Sequence, residues 1–212
     1  MKQLLGILLF FSLTSAFGQD NALLKLEAER AWERGFYQSM RFPREALRSK
    51  TGGYVSLALK FDSTGAIDSY RLDQEDKAFF NKEVLKGFEA AQKNWNPIIV
   101  DDKDLNQEYL LVFSFEMLSE EKESNKNRAI RYVQKNKPEK AFKIVNRLVQ
   151  DYPFDQEFLR FRSQIHRQLG QEQEATADLL KAQNLESSII SSLSFKVFGV
   201  TSTRQISGKT FY

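Results

Sequence analysis

Two stretches of this chain alternate between apolar and polar residues, and most of the remainder repeats its apolar positions at helical spacing. Between residues 54 and 61, Val55, Leu57, Leu59 and Phe61 fall on one side of an extended chain, with Tyr54, Ser56, Ala58 and Lys60 on the other, because successive strand side chains point to opposite faces. Asp62-Ser63-Thr64-Gly65 then reads as a turn in which Gly65 supplies a positive φ, and residues 66–73 as the antiparallel return. A second alternation over residues 108–117 puts Tyr109, Leu111, Phe113, Phe115 and Met117 on one face. Its other face carries Leu110 and Val112 near the start and Ser114 further on.

Helical spacing appears first from Asn21, where Leu24, Ala28, Trp32 and Phe36 recur every four residues. Asn21 is a suitable N-cap, and Pro43 requires the helix to stop before it. Between Lys77 and Trp95, the positions of Phe80, Val84, Phe88 and Ala91 predict a helix that covers the apolar face of the hairpin. Burial of Phe80 and Phe88 should contribute about 1.5–3 kcal/mol each. The order helix-β-β-α-β over residues 19–118 predicts an α+β domain built on an antiparallel hairpin. Asp101-Asp102-Lys103-Asp104 reads as a solvated loop, since the glycine and terminal glutamate of a calcium-binding loop are missing.

After a charged linker at residues 119–126 the pattern is helical. Aligning Ala141 with Ala175 gives a period of 34 residues, and the same offset pairs Ala129 with Ser163, Tyr132 with His166, and Asn136 with Gly170. Small residues fit where helices cross, and Asn and Gly both tolerate a left-handed turn. These positions resemble two tetratricopeptide repeats, about residues 122–155 and 156–189. What the resemblance implies is an all-α helical hairpin array over residues 127–189, with Glu157, Arg160, Gln164 and Arg167 facing its groove and suited to a charged peptide. Two repeats bury little alone, so Ile189, Ile190, Leu193 and Val197 are expected to form a capping helix stopping at Gly199. The tail over residues 200–212 reads as a strand that closes the sheet edge or as a solvated extension.

Residues 1–18 carry the pattern of an export signal. Lys2 gives a positive start, residues 4–13 an apolar centre, and Ala16-Phe17-Gly18 small residues at the inspected positions. Cleavage is expected near Gly18/Gln19. An uncleaved anchor is the other possibility, but the run falls short of the roughly 20 residues that span a bilayer, so no membrane span is expected in the mature chain. The 212 residues contain no cysteine, which excludes disulfides and thiolate metal sites. With 31 basic and 28 acidic residues and no dominant basic block, a nucleic-acid partner is not expected.

Catalytic chemistry is not expected either. His166 is the only histidine, so a nucleophile–base pair or a histidine metal site lacks partners. Gly52-Gly53 is not followed by the Lys-Ser/Thr of a phosphate loop. No cofactor is implied.

The sheet segment also resembles a known family. Phe42 and Pro43 followed by Glu45 and Ala46, Gly53 opening a strand that ends in Phe61-Asp62, Gly65 in the turn, Trp95 and Pro97 after the helix, and Phe113 and Phe115 in the last strand resemble the C-terminal domain of TonB, the periplasmic energy transducer of Gram-negative bacteria. The resemblance spans about residues 36–117. It implies a small antiparallel three-stranded sheet with helices on one face, whose last strand lies at an edge and accepts an extended peptide by β-augmentation, here through Tyr109, Leu110, Leu111, Val112, Phe113, Ser114 and Phe115. Ser39-Met40-Arg41 stands where that family carries a glutamine-rich stretch, and no long proline-rich spacer follows the leader. The resulting expectation is a periplasmic, non-catalytic binding or scaffolding protein with a protein or peptide partner in the cell envelope. A homodimer through the sheet edge is compatible with it. The alternative is an energy-coupling component of TonB-dependent outer-membrane transport.

Overall fold

The structure, a computed structural model, describes residues 3–118 and 121–198. Among the described residues it is an α+β fold of seven α-helices and one four-stranded sheet. Helix α1 runs Gln3–Ser39 and α2 Arg44–Ser49; strands β1 (Gly53–Phe61) and β2 (Ile67–Gln74) form the hairpin. Helix α3 (Ala78–Ala91) follows, then two 3₁₀ turns, Gln92–Asn94 and Pro97–Val100, and β3 (Tyr109–Leu118). Four helices come next, α4 (Glu121–Gln134), α5 (Pro138–Asp151), α6 (Gln156–Gln168) and α7 (Glu172–Ser188), and the chain returns to the sheet as β4 (Ile189–Phe198).

Strand order is β2-β1-β3-β4, antiparallel except for the parallel pair β3/β4. Parallel neighbours need a long crossover, and here helices α4–α7 are that crossover. The expected three-stranded sheet therefore has a fourth strand. The expected capping helix at Ile189, Ile190, Leu193 and Val197 is an error of period: Leu193 faces the sheet core opposite Phe113, and Phe195 lies opposite Phe115. The expected linker is also corrected, since Glu121 already starts α4. Asn21 caps nothing, because α1 is continuous through it. Leu24 is exposed, while Trp32 and Phe36 are buried. The expected tail at residues 200–212 lies outside the described residues.

The core of the sheet domain is aromatic. Phe80, Phe115 and Phe195 stack in sequence, with ring centroids 4.6 and 5.4 Å apart, joining α3, β3 and β4. Phe36 meets Phe113 edge-on at 5.3 Å. Trp95 lies flat on Phe61 at 5.3 Å and edge-on to Trp32 at 4.7 Å, and its indole N–H donates to the Gly65 carbonyl at 2.9 Å. That bond ties the hairpin turn to the segment after α3. Gly65 adopts φ 79°, and a Cβ there would lie 3.1 Å from Pro97 and 3.2 Å from Val100.

The helices form a second core of Ala129, Ala141, Val145, Leu148, Phe158, Leu159, Ile165 and Ala182, among others. The α4–α5 and α6–α7 turns both take left-handed residues, Asn136 at φ 52° and Gly170 at φ 74°, at the two positions the offset pairs. Buried Asp178 of α7 accepts two bonds from Arg162 of α6, at 2.7 and 2.8 Å, and Arg162 also donates to Asn146 of α5 at 2.7 Å. His166 donates from Nδ1 to Gln171 at 2.7 Å and packs edge-on against Phe142. Its Nε2 lies 3.7 Å from the Asp178 carboxylate.

Gly65→Ala should lower stability by at least about 1–2 kcal/mol, the cost of a left-handed L-residue, with the close contacts to Pro97 and Val100 adding to it. Urea unfolding would show a lower midpoint at unchanged slope.

Candidate functional site

Two of the sequence-derived surfaces meet different fates. Tyr109, Leu110, Leu111, Val112, Phe113, Ser114 and Phe115 all lie in β3, but β3 is an interior strand. Leu110 pairs with Ala58 on one side and Ile189 on the other, and Phe115 with Gly53 and Phe195. A peptide cannot add to β3 while β4 occupies that edge, so the expected acceptor is corrected. Among the described residues the outer strands of the sheet are β2 and β4.

The helical surface keeps most of its expected residues together. A cavity of about 470 Å³ opens between α4 and α6, lined by Lys126, Ile130, Val133 and Gln134 from α4 and by Glu157, Phe158, Arg160, Phe161 and Gln164 from α6. Glu157, Arg160 and Gln164 thus share one groove. Arg167 is exposed on α6 but does not line it.

Local chemistry explains the placement. Asp155 caps α6 by accepting from the amides of Glu157 and Phe158, at 3.1 and 3.4 Å. Lys122 of α4 reaches the same carboxylate at 3.1 Å, with its ammonium 4.2 Å from the Tyr152 ring centroid. This fixes the first turns of α4 and α6 side by side. One turn further on, Lys126 donates to Glu157 at 2.7 Å. That bond holds the Lys126 ammonium above its ordinary range. Arg160 bonds Glu186 of α7 and, at 3.4 Å, Gln156. The groove floor is apolar: Phe158 is buried, and Ile130, Val133 and Phe161 are half-buried.

Lys126, Ile130 and Val133 were missing from the expected set, although a signal for them existed. The 34-residue offset that pairs Ala141 with Ala175 also carries Arg160 onto Lys126, Gln164 onto Ile130 and Arg167 onto Val133. Applied to groove residues as well as to packing residues, it names the α4 wall.

A second cavity, about 400 Å³, lies where the sheet meets the α5–α6 loop, between Gly53, Tyr54, Asp76, Glu116, Asp151 and Tyr152, among others. Tyr54 packs edge-on to Tyr152 at 6.2 Å and against Phe154 at 6.3 Å. Burial first, and then the Glu116 carboxylate, hold the Tyr54 hydroxyl protonated well above the ordinary tyrosine range, and Tyr152 is shifted the same way. Among the described residues no cluster of His, Cys, Asp and Glu has the arrangement of a metal site, and no helix is long and apolar enough to cross a membrane. No family model, curated protein or solved structure matches the chain.

Val112→Pro should act as a folding mutant, not a selective binding mutant. Proline removes an amide and a ring clash is added inside a strand paired on both sides, so a loss of about 3 kcal/mol or more is expected in chemical denaturation. The raised Tyr54 hydroxyl makes a prediction in pH. A folded-state pKa above the unfolded value of about 10 leaves stability intact below that pH and removes it as pH rises beyond. Tyr54→Phe should therefore move the alkaline unfolding midpoint, followed by circular dichroism, to higher pH.

Proposed function

We propose that this chain is an exported, periplasmic, non-catalytic protein-binding or scaffolding protein that holds a peptide segment of an envelope partner in the α4/α6 groove. The observation that carries the reading is the convergence of Glu157, Arg160 and Gln164 on one apolar-floored cavity with Ile130 and Val133 opposite. Such a concave site, apolar with a few polar groups around it, is the usual form of a binding pocket. The leader-like residues 1–18 support export, with cleavage near Gly18/Gln19.

Two resemblances fit this reading. The paired hairpins α4/α5 and α6/α7, with left-handed Asn136 and Gly170 at equivalent turns, support a short tetratricopeptide-like array. The antiparallel order β2-β1-β3 with α1 and α3 packed on it supports a TonB C-terminal-like sheet domain carrying an added strand. Energy coupling to outer-membrane transport is the weaker reading, since it drew on β3 as the acceptor of a receptor segment and β4 takes that edge.

The test is site-specific crosslinking in a Gram-negative host, using the full chain with its own leader and a photoreactive residue at position 164. A discrete crosslinked envelope protein is expected, together with a processed chain whose N-terminus is Gln19 by mass spectrometry. Ile130→Asp in the same chain should abolish the adduct. An adduct indifferent to that substitution would place the partner elsewhere.

A further inference from the structure

The groove's charges are already spoken for. Lys126 is engaged by Glu157, and Arg160 by Glu186 and Gln156, so each cation on the rim has a carboxylate from this same chain. A charged peptide would have to break one of these pairs and take its place, exchanging one ion pair for another at little net gain. The charged ligand expected from the residue types alone is therefore disfavoured by the geometry.

The remaining groups point to a different occupant. Ile130, Val133 and Phe161 line an apolar cleft, and Gln134 and Gln164 stand on its two walls. Neither glutamine amide has a side-chain hydrogen bond to another described residue. Each offers two N–H donors and one acceptor oxygen, the complement of a peptide backbone. From Glu157 to Gln164 the wall is about 10 Å long at roughly 1.5 Å per helical residue. An extended chain covers that length with about three residues at roughly 3.3 Å each.

We propose that the groove selects an uncharged, extended segment of about three residues, anchored by one aliphatic or aromatic side chain over Ile130, Val133 and Phe161 and read along its backbone by Gln134 and Gln164. This rests on the groove being the peptide site and adds the chemistry of what it takes. The side chain is chosen by the apolar floor and the main chain by the two amides. The Lys126–Glu157 pair ties the two walls together and Arg160 is tied to α7, so neither cation is left over for a charged ligand.

The test is selection from a random heptapeptide phage library on the immobilised full chain, followed by fluorescence anisotropy with the enriched peptides made synthetically and labelled. Expected are peptides sharing one large apolar residue within a run that lacks Asp, Glu, Lys and Arg. Their affinity should change less than about twofold between about 0.05 and about 0.5 M salt, since no exposed charge pair is made. Ile130→Asp, which sets a carboxylate in the apolar floor, should weaken binding at least about tenfold. Gln164→Glu, at an exposed position that leaves the fold intact, should weaken it by severalfold. Enrichment of acidic or basic peptides whose affinity falls steeply with salt, yet is still lost in Ile130→Asp, would overturn this specificity and leave the groove as the peptide site. Failure to enrich any peptide, or enrichment of peptides indifferent to both substitutions, would overturn the peptide site as well.

Discussion

The parallel pairing of β4 on β3 is the interaction on which this architecture depends. Without it, helices α4–α7 would be an appendage trailing from a three-stranded sheet. With it, both ends of the helical segment are fastened to adjacent strands. Strand β4 also spans the two cores: Ile189 packs with the helices, whereas Ile190, Leu193 and Phe195 pack with the sheet. Phe195 extends the Phe80–Phe115 stack to the sheet's margin. Burial of such large apolar side chains, at about 1.5–3 kcal/mol each, is what repays the ordering of a strand with a serine-rich sequence.

That arrangement shapes the candidate site. Four short helices bury a limited core, and repeat arrays of so few units usually depend on support from outside. The sheet provides it through β4 and through the Tyr54 contacts with Tyr152 and Phe154. Lys122, Asp155 and the Tyr152 ring then set α4 against α6. The two helices that form the groove are thus set by a cap and an ion pair at their first turns, and the α5–α6 loop before α6 is braced against the sheet.

How far the sequence disclosed this follows from the range over which each element is determined. Strands β1 and β3 were legible because their alternation reports a one-sided core locally, and Gly65 marked the turn, whereas the bond that Trp95 makes to it joins distant segments and was not legible. Asn136 and Gly170 were legible because a left-handed turn has a narrow residue preference. Strand β4 was not. Ile189, Ile190, Leu193 and Val197 satisfy helical spacing, while Ser191, Leu193, Phe195 and Val197 satisfy strand spacing, and only the distant partner β3 decides between them. The same blind spot made β3 look like a free edge. For the groove, the resemblance to a tetratricopeptide array pointed to Glu157, Arg160 and Gln164 of α6. It also swept in Arg167, because spacing fixes a face but not where a neighbouring helix ends. The ion pairs on the rim join different helices, so residue type alone did not disclose them.

The β3–β4 pairing also sets an order of events for the nascent chain. Leu110 and Ile189, partners in the ladder, are separated by about 80 residues, and a chain is made from its N-terminus. The hairpin, α3 and β3 therefore emerge complete, while the open side of β3 waits with unpaired amides and carbonyls until all four helices have been synthesised. An interval of this kind is a hazard for edge-to-edge association. Conditions that stall the ribosome within the α4–α7 segment would accordingly be expected to yield aggregation, and a chaperone that shields β3 would have its window of use there.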